Sequence, residues 1–221
     1  MQNPDNSYVR ACPVGCQATL ENTAIHLPEG FLRRCTECGQ LLSSASEARY
    51  TETMAQFNAA DFNAPKGGEL GRRQSVARQR LARIASLLGK TAGDMHVLDI
   101  GCSRGQFVAA AIAAGYRAEG VEPAPRIAEA ARAAGVPVRT GLLEDQKFPD
   151  ASFDALTLFE VIEHLREPMP LLAECHRVLK PGGQLLVLEF SHPTAPGLAP
   201  LYDAYSFRVL PALGRLIAND E

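Results

Sequence analysis

Two groups of residues in this chain have types and spacings that could do chemistry. The first is four cysteines: Cys12 and Cys16 with three residues between them, Cys35 and Cys38 with two, and eighteen residues between the pairs. Two close pairs of thiolates suit a soft tetrahedral ion such as zinc. Four sulfurs leave no open position for a substrate, so the expected role is structural. Gly15 and Gly39 would supply the turns, and a hairpin carrying Ile25, Leu27, Phe31 and Leu32 would join the pairs. The second group lies in VLDIGCSRGQF, 97–107, which sets Asp99, Gly101, Ser103 and Gly105 between an apolar run and an Ala-rich run. That order reads as strand, tight turn and helix. D-x-G-x-S-x-G is neither the dinucleotide fingerprint nor a phosphate loop ending in Gly-Lys-Ser/Thr. Glycines let backbone N–H groups approach a ligand, and a helix N-terminus favours a carboxylate or phosphate. Asp99 adds a fixed negative charge. A ligand carrying both a carboxylate and a cation fits that combination.

Further chemistry follows at intervals. Glu122, in GVEP about 20 residues after the glycine turn, could accept hydrogen bonds from both hydroxyls of a ribose, with Pro123 helping to start the next helix. In 153–165, FDALTLFEVIEHL, an apolar strand ends at Phe159, Glu160 opens a turn, and His164 follows. A histidine there could act as a general base near neutral pH, or equally make a structural hydrogen bond.

These stretches, with RVLKPGGQLLVLEF at 177–190, resemble class I S-adenosylmethionine-dependent methyltransferases, and they occur in the family's order. S-adenosylmethionine carries a carboxylate, an ammonium and a sulfonium. The resemblance implies that Asp99, Gly101, Ser103 and Gly105 surround the donor's amino-acid end. Ser103 stands where the family usually has glycine. It further implies that Leu142 and Leu143 lie beside the adenine, with Glu144 or Asp145 reading its exocyclic amine. Phe159 and Glu160 would line the sulfonium, and His164 would serve a hydroxyl or phenol acceptor. The tail at 189–221 is similar to the ubiquinone/menaquinone biosynthesis C-methyltransferases at Tyr202, Asp203, Tyr205, Ser206 and Phe207. That implies a quinol ring as the small-molecule acceptor and peripheral membrane contact through the C-terminal segment. The 153–165 stretch is closer to other methyltransferases, the quinone O-methylating kind among them.

Alternating elements must position these groups. Strands are expected at 95–100, 117–121, 136–140, 154–159 and 184–190, with helices at 106–114, 125–134 and 170–179. The expected fold class is α/β, a Rossmann-like doubly wound, mostly parallel sheet. It is short of the family's last two strands, so its fifth, apolar strand needs cover from the tail, the N-terminal segment or a partner chain. The expected domains are a zinc-ribbon-like module at 1–45, a helical connector at 46–90 and the methyltransferase domain at 91–221. In the connector, helix Glu69–Leu88 carries Val76, Leu81, Ile84, Leu87 and Leu88 as an apolar stripe. Its arginines 72, 73, 78, 80 and 83 are expected on a solvated face.

Composition narrows the rest. A formal charge of −3 argues against coating a nucleic acid by charge alone. An RNA methyltransferase with a zinc module nonetheless stands as one alternative, and a non-catalytic cofactor-binding partner protein as another. No apolar run of about 18 residues exists and MQNPDNSYVR holds no signal-peptide core, so a cytoplasmic location with reduced cysteines is expected.

Overall fold

The computed structural model describes residues 7–59, 64, 68–189 and, in the tail, 197, 198, 202, 205 and 209. Its chain divides into two compact units, Met1–Leu188 and Glu189–Glu221. The first opens with an antiparallel hairpin, β1 (Leu20–Leu27) and β2 (Gly30–Cys35), extended by β3 (Leu41–Leu42). Helices α1 (Glu47–Gln56) and α2 (Glu69–Leu88) follow. Then come β4 (His96–Ile100), α3 (Gln106–Ala113), β5 (Arg117–Glu122), α4 (Pro125–Ala133), β6 (Val138–Thr140), β7 (Phe153–Phe159), α5 (Pro168–Val178) and β8 (Leu179–Leu188).

The five later strands form one sheet in the order β6-β5-β4-β7-β8, with every pair parallel. A parallel sheet buried on both faces is read as near-continuous apolar runs, and β7 is buried from Phe153 to Leu158. Successive residues point to opposite faces. Val97 and Ala155 pack with α2 and α3, whereas Leu98, Leu156 and Leu158 pack with α5. Each fully buried leucine is worth roughly 1.5–3 kcal/mol. Chain order runs outward from β4 in one direction to β6, then returns to β7 and β8. The crevice at that reversal, beyond the carboxyl ends of β4 and β7, is where such sheets bind ligands.

Several boundaries differ from the sequence expectation. Strand β8 starts at Leu179, because a bulge between Leu179 and Gln184 absorbs Pro181, Gly182 and Gly183. Its outer residues Val187 and Leu188 are exposed, and β8 is the sheet edge among the described residues. In α2 the buried stripe is Ala77, Leu81 and Ile84, while Val76 and Leu87 face outward. Pro125, not Pro123, occupies the first turn of α4. Phe190, Asp203, Ser206 and Phe207 lie outside the described residues, and Tyr202 and Tyr205 are exposed.

Candidate functional site

Strand β4 delivers Asp99 to the carboxyl edge of the sheet, in register with Thr157 of β7 and Gly120 of β5. The chain then turns through the glycine loop. Gly101 takes φ +69, and a Cβ there would lie 2.6 Å from Cγ2 of Val161. Gly105 takes φ +70 at the start of α3, where a Cβ would meet Val136 at 2.7 Å. Only glycine meets both demands cheaply. Between them Ser103 also adopts a left-handed φ of +50, a conformation that glycine takes at less cost.

Glu122 ends β5 and reaches back to that loop. Its Oε2 accepts from the Ser103 amide at 2.8 Å and its Oε1 from the Ala124 amide at 2.9 Å. One carboxylate therefore ties the glycine loop to the β5–α4 turn. Each oxygen retains a second lone pair for a further donor. Asp99 is 4 % exposed and Glu122 8 %. Burial pushes the Asp99 carboxyl up to about 7, against a 2.6 Å hydrogen bond donated by the Thr157 hydroxyl and the nearby Arg80 charge. Burial also raises Glu122, against the two amides. Glu122 itself adds to the shift of Asp99. Two buried acids at adjacent strand ends thus hold a surplus of negative charge.

Arg80 is the residue that sequence reasoning placed wrongly. Its guanidinium sits 4.1 Å from the Phe159 ring centroid, and Phe159 in turn meets Phe107 edge-on at 5.1 Å. The arginine is half-buried rather than fully solvated. It stands three residues after Ala77 and four before Ile84, on the side of α2 that carries the buried stripe. Its positive charge acts on Asp99, as does the N-terminus of α3.

Beyond β7, Glu160 is exposed at φ +57, and its amide donates to the Leu188 carbonyl at 3.0 Å. His164 closes a short turn, Ile162–His164, and its side chain is half-buried. Its ring lies edge-on to Phe57 at 5.0 Å, and its carbonyl accepts from the Tyr50 hydroxyl at 2.6 Å. After β6, Leu142 is exposed whereas Leu143 is fully buried in the core, so of these two only Leu142 has surface to offer a ligand. Glu144 and Asp145 are both exposed, and Asp145 accepts from the Leu142 amide at 3.4 Å. Pro123 is exposed beside Glu122.

The four cysteines form a separate cluster, with Sγ atoms all within 4.8 Å of one another and Cys12 and Cys38 at 3.5 Å. Tetrahedral sulfurs at about 2.3 Å from zinc stand roughly 3.8 Å apart, so the cluster has the right size. Backbone N–H groups of Cys38 and Glu37 lower the Cys35 thiol to about 7. Cys16 is pushed up to about 12, chiefly by the Cys38 thiol. Gly15 and Gly39 take positive φ in the turns, as expected. No helix among the described residues is long and apolar enough to cross a membrane.

A family described as a methyltransferase domain matches residues 98–187. The ubiquinone/menaquinone biosynthesis C-methyltransferase UbiE of Marinomonas sp. is 53% identical over 73 residues, 33% of this chain and 29% of that protein. The UbiE of Methylobacterium nodulans is 51% identical over 80 residues, 36% of this chain and 32% of its own. The chain thus spans about a third of the length of these curated relatives. The crystal structure of the PH0226 protein from Pyrococcus horikoshii is 24% identical, with a TM-score of 0.48 over 58% of this chain and 62% of that one. The stretch that holds the glycine loop and most of the parallel sheet, residues 98–187, is thus the part of the chain that matches a methyltransferase domain.

Proposed function

We propose that this chain transfers a methyl group from S-adenosylmethionine to a small-molecule acceptor, with a quinol- or phenol-type ring as the leading candidate. The observation that carries the donor assignment is the pair of buried carboxylates, Asp99 and Glu122, which face the same crevice with a surplus of negative charge. A ligand with an ammonium, a sulfonium and a ribose satisfies both. Asp99 would hold the cationic amino group, while the α3 amides and Arg80 would hold the carboxylate. Glu122 would take the ribose hydroxyls on its spare lone pairs. Leu142 would flank the adenine, with Glu144 or Asp145 for its amine.

When bound, the donor supplies an electrophilic methyl on sulfur. The chain's own contribution is to orient that group and to keep water from it. Phe159 walls the crevice, and Glu160 is held in a strained left-handed turn at its rim. A phenolic acceptor loses its proton as the new bond forms, and His164, beside Glu163, would take it. The ring preference for the acceptor is supported by the curated relatives, which act in quinone biosynthesis. With it we read a domain organisation of a cysteine module at 1–45, a connector at 46–90 and a methyltransferase domain at 91–221. Zinc on Cys12, Cys16, Cys35 and Cys38 would close the module as a structural site.

Calorimetry with S-adenosylhomocysteine tests the donor site. Glu122→Ala should weaken binding at least tenfold, about 1.4 kcal/mol; an unchanged dissociation constant rejects its ribose role. Tritiated donor offered in parallel to demethylquinol extracts, ribosomal RNA and total metabolites tests the acceptor. Label confined to RNA would overturn the quinol reading.

A further inference from the structure

Helix α1 buries none of its residues, and ten residues are too few for a helix to persist alone. Something at its ends must hold it. Its root is the cysteine module: Ser7 pairs with Ser46, and the Tyr8 amide donates to the Ala45 carbonyl at 2.8 Å. Buried Arg33 of β2 donates to the carbonyls of Val9 and Ser43, binding both strands of that root to the hairpin. Tyr8 stacks on Tyr50 with centroids 4.3 Å apart and planes 15° apart, and the Arg166 guanidinium lies over Tyr8 at 5.1 Å.

Away from that root, α1 and the two residues after it reach His164 and Arg126. Tyr50 donates to the His164 carbonyl, and Phe57 packs on the His164 ring, beyond β7. Asn58 accepts from the Arg126 amide at 3.1 Å in the first turn of α4, four residues after Glu122. Strands β5 and β7 flank β4 on opposite sides. A segment fastened beyond both therefore joins the two walls of the crevice that opens past Asp99.

We propose that 46–58 is a strap, hung from the cysteine module and fastened across the donor cleft, with Tyr50 and Asn58 as positioning residues for the His164 and Glu122 walls. The inference rests on the donor-cleft reading above. It makes the state of the four thiolates a determinant of how well the cleft is formed, although they lie outside the methyltransferase domain. Loading the module with metal fixes the root, the root fixes the Tyr8–Tyr50 stack, and the stack sets the two walls.

Hydrogen exchange read by mass spectrometry on the full chain, with S-adenosylhomocysteine titrations alongside, tests it. Tyr8→Ala cuts the stack and keeps all four thiolates; Tyr50→Phe keeps the stack and removes one hydrogen bond. Zinc content is measured for each variant and for protein stripped by a chelator. In Tyr8→Ala and in stripped protein, exchange should quicken about tenfold at 47–59 and at both 124–128 and 162–166. In Tyr50→Phe the change should be confined to 47–59 and 162–166, with zinc retained. S-adenosylhomocysteine should bind about three- to tenfold more weakly in stripped protein and in Tyr8→Ala. Exchange that changes only within 7–45, or not at all, overturns the strap. If no form binds S-adenosylhomocysteine, the donor reading fails, while the exchange map still decides the coupling.

Discussion

Two buried aspartates stand at opposite edges of the same sheet, and the fold treats them in opposite ways. Asp154, at the amino edge, has a side chain only 1 % exposed. Burial works to raise its pKa, yet the Lys180 and Lys90 ammonium groups at 2.8 and 2.6 Å and the His96 amide hold it well below the usual carboxylate range. Asp99, at the carboxyl edge, has a hydroxyl and one offset guanidinium, and its pKa sits near neutrality. The chain can neutralise a buried acid completely, and at Asp154 it does. At Asp99 the compensation stops short, and the shortfall has the sign and place of a cationic ligand. A buried charge with few partners is costly, and on the donor reading proposed above this shortfall is what a cationic ligand would meet.

The sharpest way to break this comparison is to neutralise each acid in turn. Asp99→Asn should weaken S-adenosylhomocysteine by roughly a hundredfold, about 2.7 kcal/mol. The same variant should unfold at a higher temperature at pH 8, because a neutral amide removes the cost of burying a charge. Melting at an unchanged or lower temperature would show that Asp99 is already compensated. Asp154→Asn should do the reverse. It strands two lysines and should cost about 2–3 kcal/mol, less than a fully buried pair because both ammonium groups reach water. Ligand affinity per folded molecule should stay within about twofold.

A pH series sharpens the contrast. Asp99 has a folded pKa raised above its unfolded value of 3.8. Folding takes up a proton there, so its contribution to stability falls as pH rises from about 4 to 7 and then levels. Asp154 has a depressed folded pKa, so its contribution is present above about 4 and is lost only as the solution becomes more acidic. Ligand affinity should fall about tenfold from pH 8 to pH 6 as Asp99 gains a proton, and Asp99→Asn should flatten that fall. A flat profile in the unmutated chain would remove Asp99 from the site. The smallest effect belongs to the loop itself. Ser103→Gly relieves a left-handed serine and should stabilise by about 0.5–1 kcal/mol, with affinity preserved within about twofold. A loss of stability would mean that the serine side chain contributes more than its strain costs.

What was legible in the sequence was legible because its causes are local. The glycine loop is a short-range demand for left-handed backbone, so Asp99, Gly101 and Gly105 could be read from spacing. So could the paired cysteines, whose turns are built by their immediate neighbours. The parallel sheet followed from apolar runs alternating with helical ones. Tertiary structure alone decided the rest. Leu142 and Leu143 are adjacent in sequence, yet one is exposed and the other lies in the core, because the turn after β6 points them apart. Arg80 looked like one of five arginines on a wet helix, until the packing of α2 put it over Phe159. The double hold of Glu122 on Ser103 and Ala124, and the grip of Tyr50 on His164 and of Asn58 on Arg126, join residues up to 114 positions apart. Local pattern carries backbone conformation, whereas the partners of a buried charge are set by which strands become neighbours, and the composition of any one strand is silent on that.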